Sequence, residues 1–160
     1  MLSQLLKSND KDIPILNELL KNSRTSFIKV SEGTQIADTT VHFRVKKMID
    51  EKIIKRFTVE LDLDKIGLKY KVLLIFKIGG HILEEMSLKR AQEFIVSLKA
   101  EKNIGFLALA EDKKTIVSLF VMENQEAFEK IIKNFQNNAD INDLQIIYLN
   151  DVVKYFVDEI

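Results

Sequence analysis

The spacing of apolar residues changes near Gly67, and this change constrains the fold more than any other feature of the sequence. Before it, apolar residues recur about every three or four positions, as in helices packed on a core; from Tyr70 onward they form nearly continuous β-rich runs. With 160 residues, the chain can form one domain or two small ones. We therefore predict an α+β protein with a domain over 1–61, a linker over 62–69 and a second domain over 70–160.

The first 61 residues carry the pattern of three helices followed by a strand pair. Asp12 and Pro14 suit the start of a first helix, and Ser26 suits the cap of a second helix that ends near Glu32. A third helix follows the turn 33–35, and the alternation over 53–61 predicts a strand pair, or wing. This order is typical of a winged helix-turn-helix.

The third predicted helix has one apolar face and a polar, basic remainder. The apolar face consists of Val41, Val45, Met48 and Ile49. Six basic and two acidic residues lie between Arg44 and Arg56. Such a helix suits the major groove of DNA, although a solvated surface helix would show the same pattern. The candidate DNA contacts are Asp38, Thr39, Thr40, His42, Phe43, Arg44, Lys46, Lys47 and Arg56.

Several of these side chains allow two interpretations. His42 either contacts DNA or is a solvated histidine, and Phe43 either contacts a thymine methyl group or packs on the wing. Lys46 and Lys47 favour phosphate contacts over base contacts. Arg44 suits a phosphate contact and an intramolecular salt bridge equally well. Asp38, with Thr39 and Thr40, is expected to cap the helix.

The second half of the chain reads as βαββαβ, the order of a ferredoxin-like sandwich. Predicted strands cover 71–78, 104–110, 115–122 and 144–149, with a short tail strand around 152–157; the intervening helices begin at Ser87 and Asn124. Both helices then cover one face of the sheet. A second copy of the chain is the simplest cover for the other face, so a homodimer or higher homo-oligomer is expected.

Composition excludes several classes of protein. The chain has no cysteine, no apolar run of membrane-spanning length and no secretory signal core, which predicts a cytoplasmic protein without disulfides. Its net charge is zero, so nucleic acid would have to be bound by a local basic patch. The two histidines, His42 and His81, lie in different predicted domains, and neither a metal cluster, an activated nucleophile nor a cofactor motif is evident. We predict no enzymatic activity and no cofactor.

From about Asp10 onward, one set of residues forms a pattern of defined order and spacing: Asp12, Ile15, Leu16, Leu19, Arg24, Thr40, Val41, Arg44, Val45, Lys46, Lys47, Met48, Ile53, Ile54, Lys55, Asp62 and Gly67. With a ferredoxin-like domain behind it, this set resembles the Lrp/AsnC (feast/famine) family of transcription regulators. The resemblance implies a dimeric or higher-order, sequence-specific regulator of double-stranded DNA that is modulated by an amino acid bound at a subunit interface.

The chain departs from the family pattern at four places. Ala37 replaces the family's serine before the third helix, and Gln35 and Lys52 replace glycines. The resemblance puts effector contacts in the turn Ala110, Glu111 and Asp112. This turn lacks the family's glycine, which counts against effector binding there.

Two other functions are compatible with parts of the sequence. Sirohaem decarboxylases share the fold and use histidine- and arginine-rich motifs, whereas the second half of this chain has one histidine and Arg90 as its one arginine. A small-molecule sensor or adaptor that has lost DNA binding fits the nearly neutral first half.

Overall fold

The computed structural model describes residues 10–80 and 82–152, which divide into two compact units, 10–60 and 61–152. The first unit contains three helices, α1 (Asp12–Lys21), α2 (Phe27–Thr34) and α3 (Asp38–Asp50). All three were predicted from the apolar spacing. Ser26 caps α2 as expected, because its side chain accepts a hydrogen bond from the Lys29 amide at 3.4 Å. The buried apolar core of this unit consists of Ile15, Leu16, Leu19, Val30, Val41, Val45 and Met48.

The start of α3 differs from the prediction. Ala37 occupies the N-cap position and offers no side-chain acceptor, while Asp38 is already the first helical residue. Asp38 therefore does not cap the helix, although its charge in the first turn is favourable for the helix dipole. Ile49 was placed on the buried face but is 44% exposed. At about 100° per residue it lies roughly 80° around the helix from Val41, at the margin of the apolar stripe.

Two residues that flank α3 adopt left-handed backbone conformations. Gln35 has φ = 56° and Lys52 has φ = 59°. These are the two positions at which the family resemblance places glycine. The backbone keeps the conformation that glycine accepts freely, at a cost of about 1 kcal/mol for each side chain.

The prediction of a strand pair over 53–61, after α3, is wrong. No strand is assigned between Glu51 and Lys69 in the described residues. Ile53–Leu61 alternates like a strand but contains none of the residues that favour a tight turn, namely glycine, asparagine, aspartate and proline. Ile54 packs against the N-terminal core, but other apolar side chains of the segment are exposed, with Phe57 at 49% and Val59 at 67%.

The second unit has the predicted βαββαβ order. Its elements are β1 (Tyr70–Ile78), α4 (Glu84–Lys99), β2 (Ile104–Leu109), β3 (Thr115–Met122), α5 (Gln125–Gln136) and β4 (Ile141–Leu149). The strands form one antiparallel sheet in the order β2-β3-β1-β4. This confirms the ferredoxin-like α+β fold.

The helices of this unit begin where local chemistry allows. Asn124 caps α5 as predicted, since its side chain accepts a hydrogen bond from the Ala127 amide at 3.0 Å. Ser87 does not cap α4, because the helix begins three residues earlier, at Glu84, with Leu83 at the N-cap. Ser87 is a helical residue with a buried side chain. Two glutamates, Glu84 and Glu85, occupy the first turn instead, where negative charge is favourable.

The strand register separates two faces of the sheet. One row of directly paired residues lies on the helix side, and the next row lies on the opposite side. The helix-side row is Leu107, Ser118, Leu74 and Ile146; the opposite row is Phe106, Leu119, Leu73 and Ile147. In the opposite row, Phe106 is 52% exposed and Ile147 is 41% exposed. That face of the sheet therefore presents apolar surface.

None of the helices described in 10–80 and 82–152 has the length and apolarity needed to cross a bilayer. Segment 62–69, predicted as a linker, lies within the second unit and contains the expected turn at Gly67, where φ is 89°. The predicted tail strand around 152–157 lies outside the described residues, apart from Val152.

Candidate nucleic-acid interface

The outer face of α3 is the candidate site, and the core behind it holds it in place. Val41, Val45 and Met48 are 0%, 2% and 0% exposed. Because they anchor one side of the helix, the other side must face outward. The exposed residues on that side are Thr39, His42, Phe43, Lys46 and Lys47. The structure thus brings five of the nine candidate DNA contacts onto one exposed surface, which we call the α3 face.

Phe43 and the two lysines are largely available for contacts. Phe43 is 63% exposed, and no aromatic partner is found for it among residues 10–80 and 82–152. Lys47 Nζ lies 3.6 Å from Glu51 Oε1 in an exposed ion pair. Such a pair contributes little and can be exchanged for another anion. Lys46 has no ion-pair partner in the described part of the chain.

His42 is exposed but its ring is not isolated. The imidazole packs against the Phe27 ring, with 4.5 Å between centroids and 85° between planes. Phe27 is the first residue of α2 and is itself packed on the N-terminal core. The orientation of the His42 ring therefore depends on α2 as well as on α3.

Arg44 points away from the α3 face and into the core. It is 8% exposed, and its guanidinium donates two hydrogen bonds to the Asp12 carboxylate: Nε to Oδ1 at 2.6 Å, and a second from Nη2 to Oδ2. The hydrogen bond to Asp12 raises the pKa of Arg44, so the guanidinium stays charged. Of the two interpretations left open by the sequence, the structure has the salt bridge. Arg44 is therefore removed from the candidate DNA contacts.

The remaining candidates lie beside the α3 face. Asp38 is exposed at the start of α3; Thr40 is half-buried there, and its amide donates to the Ala37 carbonyl at 2.8 Å. Arg56 is exposed in the segment after α3 and borders an open groove of about 450 Å³. The far wall of that groove is the C-terminal half of α1, including Leu16 and Leu19. Arg56 is thus not part of the α3 face.

The predicted effector turn is closed by its own hydrogen bonds. The Asp112 carboxylate accepts from the Lys114 amide at 3.0 Å, the Thr115 amide at 2.8 Å and the Thr115 hydroxyl at 2.7 Å. The two backbone hydrogen bonds are the main cause of a pKa of about 2 for Asp112. Ala110 is half-buried and Glu111 is exposed. The Asp112 carboxylate therefore stabilises the turn by accepting these hydrogen bonds.

Two structurally important residues were not identified by sequence reasoning as partners of the site. Asp12 was assigned only to a helix start, yet it neutralises Arg44 from 32 positions away. Both residues belong to the set that carries the family resemblance, and that shared membership was the available signal. The contact between Phe27 and His42 has no signal in the local pattern, because it joins two helices.

No group of three or more histidine, cysteine, aspartate or glutamate side chains in the described residues could hold a metal ion. What this site offers is an exposed aromatic ring, two lysines, an imidazole and a hydroxyl on a rigid helix. These groups can form hydrogen bonds, apolar contacts and phosphate ion pairs.

Comparisons with known proteins agree with this geometry. The winged helix-turn-helix DNA-binding family matches residues 8–55. An uncharacterized HTH-type transcriptional regulator of Pyrococcus furiosus is 28% identical over 148 residues, which cover 91% of this chain and 90% of that protein.

Solved structures extend the likeness to the whole fold. A transcriptional regulatory protein of Pyrococcus furiosus, a member of the AsnC family, has a TM-score of 0.75 and 24% identity, with 92% of each chain covered. A Neisseria meningitidis transcriptional regulator in complex with L-Met has a TM-score of 0.79 and 17% identity, covering 95% of this chain and 96% of that one. The shared fold therefore includes both units.

Proposed function

We propose, from its fold and domain order, that the chain is a member of the AsnC/Lrp family of transcription regulators and that it binds DNA through the α3 face. The α3 face enters the major groove, with Thr39, His42 and Phe43 toward the base edges. Lys46 and Lys47 contact phosphates on either side of the groove. The protein acts as a sequence-specific transcription regulator, and its DNA target suggests a cytoplasmic location.

Three further residues complete the proposed interface. Asp38 can accept a hydrogen bond from a cytosine amino group, and Thr40 can reach a base or phosphate from the first turn. Arg56 extends the contact to a flanking phosphate. Arg44 contributes indirectly, because its pair with Asp12 connects α3 to α1.

One observation carries the proposal: Val41, Val45 and Met48 are buried while the polar and aromatic side chains of the same helix are exposed. Neither feature alone identifies a DNA-reading helix. Together, within a region that matches the winged helix-turn-helix family, they describe a helix supported from behind and free in front.

We propose that the regulator works as a homodimer or a higher homo-oligomer. The support is the face of the sheet opposite the helices, where Phe106 and Ile147 are exposed in an apolar row. A second copy would cover this row. Two α3 helices about 34–36 Å apart would then recognise a pseudo-palindromic site.

The test is DNA binding by paired lysine variants. Genomic fragments bound by the full chain are selected, and the affinity for a selected fragment is measured at several salt concentrations. Lys46→Ala with Lys47→Ala removes four phosphate contacts from the proposed dimer and should reduce the salt slope by about 3.6, since each lost contact removes roughly 0.9. Lys130→Ala with Lys133→Ala, an equal charge change on exposed positions of α5, is the control. An equal effect of the two pairs, or no selected DNA at all, would contradict the proposal.

We also propose that an amino acid modulates binding through the turn Ala110, Glu111 and Asp112. The support is the Neisseria meningitidis neighbour, which was solved with L-Met. The test adds single amino acids to the same binding assay and compares the wild type with Glu111→Ala. A response that is identical in both proteins would place the effector elsewhere.

The sirohaem decarboxylase alternative receives no support from the relatives described above, which are transcription regulators. An adaptor without DNA binding would be indicated if selection recovered no DNA while the chain was folded and oligomeric.

A further inference from the structure

We infer that Phe27 is a positioning residue for DNA reading: it orients the His42 imidazole on the α3 face without itself contacting the bases. This inference rests on the proposed function, because it assumes that α3 enters the major groove. It adds a residue on a different helix, α2, to the determinants of sequence preference.

The first step is the geometry of the ring pair. The two rings are nearly perpendicular, at 85°, and their centroids are 4.5 Å apart. Perpendicular contact is a favoured arrangement of aromatic rings, in which the edge of one meets the face of the other. His42 is exposed on its remaining sides, so this contact restricts the rotation of an otherwise free side chain.

The second step is the rigidity of Phe27. It packs on the N-terminal core and starts α2, whose first turn is held by the hydrogen bond from the Lys29 amide to the Ser26 hydroxyl. A ring attached at such a position cannot follow a moving imidazole. The orientation of His42 is therefore imposed by α2 and retained before any DNA arrives.

The third step is the consequence for binding. Ordering a free side chain at an interface costs about 0.5–1.5 kcal/mol, and a pre-oriented side chain avoids this cost. The imidazole also reads a base edge through directional hydrogen bonds, so an altered orientation weakens the correct base pair more than an incorrect one. Phe43, the neighbouring exposed aromatic, lacks such a ring partner in the described residues.

The experiment measures sequence preference, not only affinity. A selected site is compared in competition with the same site carrying each change at the base pair whose preference disappears in His42→Ala. Phe27→Leu should reduce this preference about 2- to 13-fold, the factor that corresponds to the ordering cost. Phe27→Tyr keeps the ring and should preserve most of the preference.

A double-mutant cycle separates positioning from stability. If Phe27 acts through His42, Phe27→Leu should leave the preference unchanged in the His42→Ala background. A role limited to folding would lower the active fraction and weaken all sequences equally. An unchanged preference in Phe27→Leu, or an equal loss in both backgrounds, would overturn the inference. If His42→Ala itself changes no preference, the proposed role of His42 fails instead.

Discussion

The two units differ in the size of their apolar cores and in the burial of their ion pairs. The N-terminal unit buries seven apolar side chains, none of them aromatic, and encloses an ion pair whose side chains are only 10% exposed in Arg44 and 1% exposed in Asp12. The core cluster of the second unit contains twelve buried apolar side chains, including four phenylalanines. Its corresponding ion pair is open on one side, because Lys71 is 4% exposed and Asp64 is 59% exposed.

This difference shows what each fold needs. Three short helices present little apolar surface, and many of their packings would be similar in energy. A bidentate pair between α1 and α3 has good geometry in one of these packings, so we interpret it as a device that selects the native arrangement. A sheet covered by two helices buries large rings and has its register set by backbone hydrogen bonds, so it needs no such device.

The largest effect should come from breaking the buried pair. Asp12→Ala leaves the Arg44 guanidinium without its partner and should destabilise the N-terminal unit by about 3–5 kcal/mol. Urea unfolding, followed for each unit separately, measures this loss. Glu51→Ala removes one partner of an exposed pair and should cost less than about 0.5 kcal/mol. Similar losses in the two variants would mean that the pair is not a distinguishing feature of the unit.

The second unit should respond in the opposite direction at its own buried polar group. Ser118 is fully buried in the row between Leu107 and Leu74, and its hydroxyl has no hydrogen-bond partner in the described structure. Ser118→Ala removes this unpaired group and should stabilise the unit by about 1 kcal/mol. Thr115→Val, on the same strand, removes a hydroxyl that donates to Asp112 and should be destabilising. Thermal unfolding of both variants tests the opposite signs.

A smaller effect is expected at the left-handed residues around α3. Gln35→Gly and Lys52→Gly each relieve an unfavourable backbone conformation but also make the unfolded chain more flexible. We expect a net gain of no more than about 0.5 kcal/mol for each, measured by urea unfolding. Glu32→Gly, inside α2, should instead lose about 0.5–1 kcal/mol. A loss in all three variants would show that strain does not separate this unit from the other.

The last expected effect is the pH dependence of stability at the turn that contains Asp112. Its pKa of about 2 lies below the ordinary value of 3.8, so the charged carboxylate stabilises the folded state above about pH 4. This contribution is lost as the pH falls through 2. Asp112→Asn should therefore flatten the decline of stability between pH 4 and pH 2, whereas the neighbouring Glu111→Gln should not. Urea midpoints across this range are the measurement.

Much of the fold was predictable because it depends on short-range patterns. The three N-terminal helices, the βαββαβ order, and the caps at Ser26 and Asn124 follow from residues within one or two turns of each other. The predictions that failed also rested on local patterns, namely the position of a helix cap and the pairing of a segment with alternating residues. Ala37 took the cap position from Asp38, and the segment after α3 has no partner strand among residues 10–80 and 82–152.

The sequence by itself determined where the helices and strands lie and which side of α3 faces the core, because apolar spacing acts over a few residues. Only the tertiary structure decided what the functional side chains do. It turned Arg44 inward onto Asp12 and placed His42 against Phe27. Both contacts join residues on different helices, and the meeting of such residues depends on how the backbones approach, which local patterns do not encode.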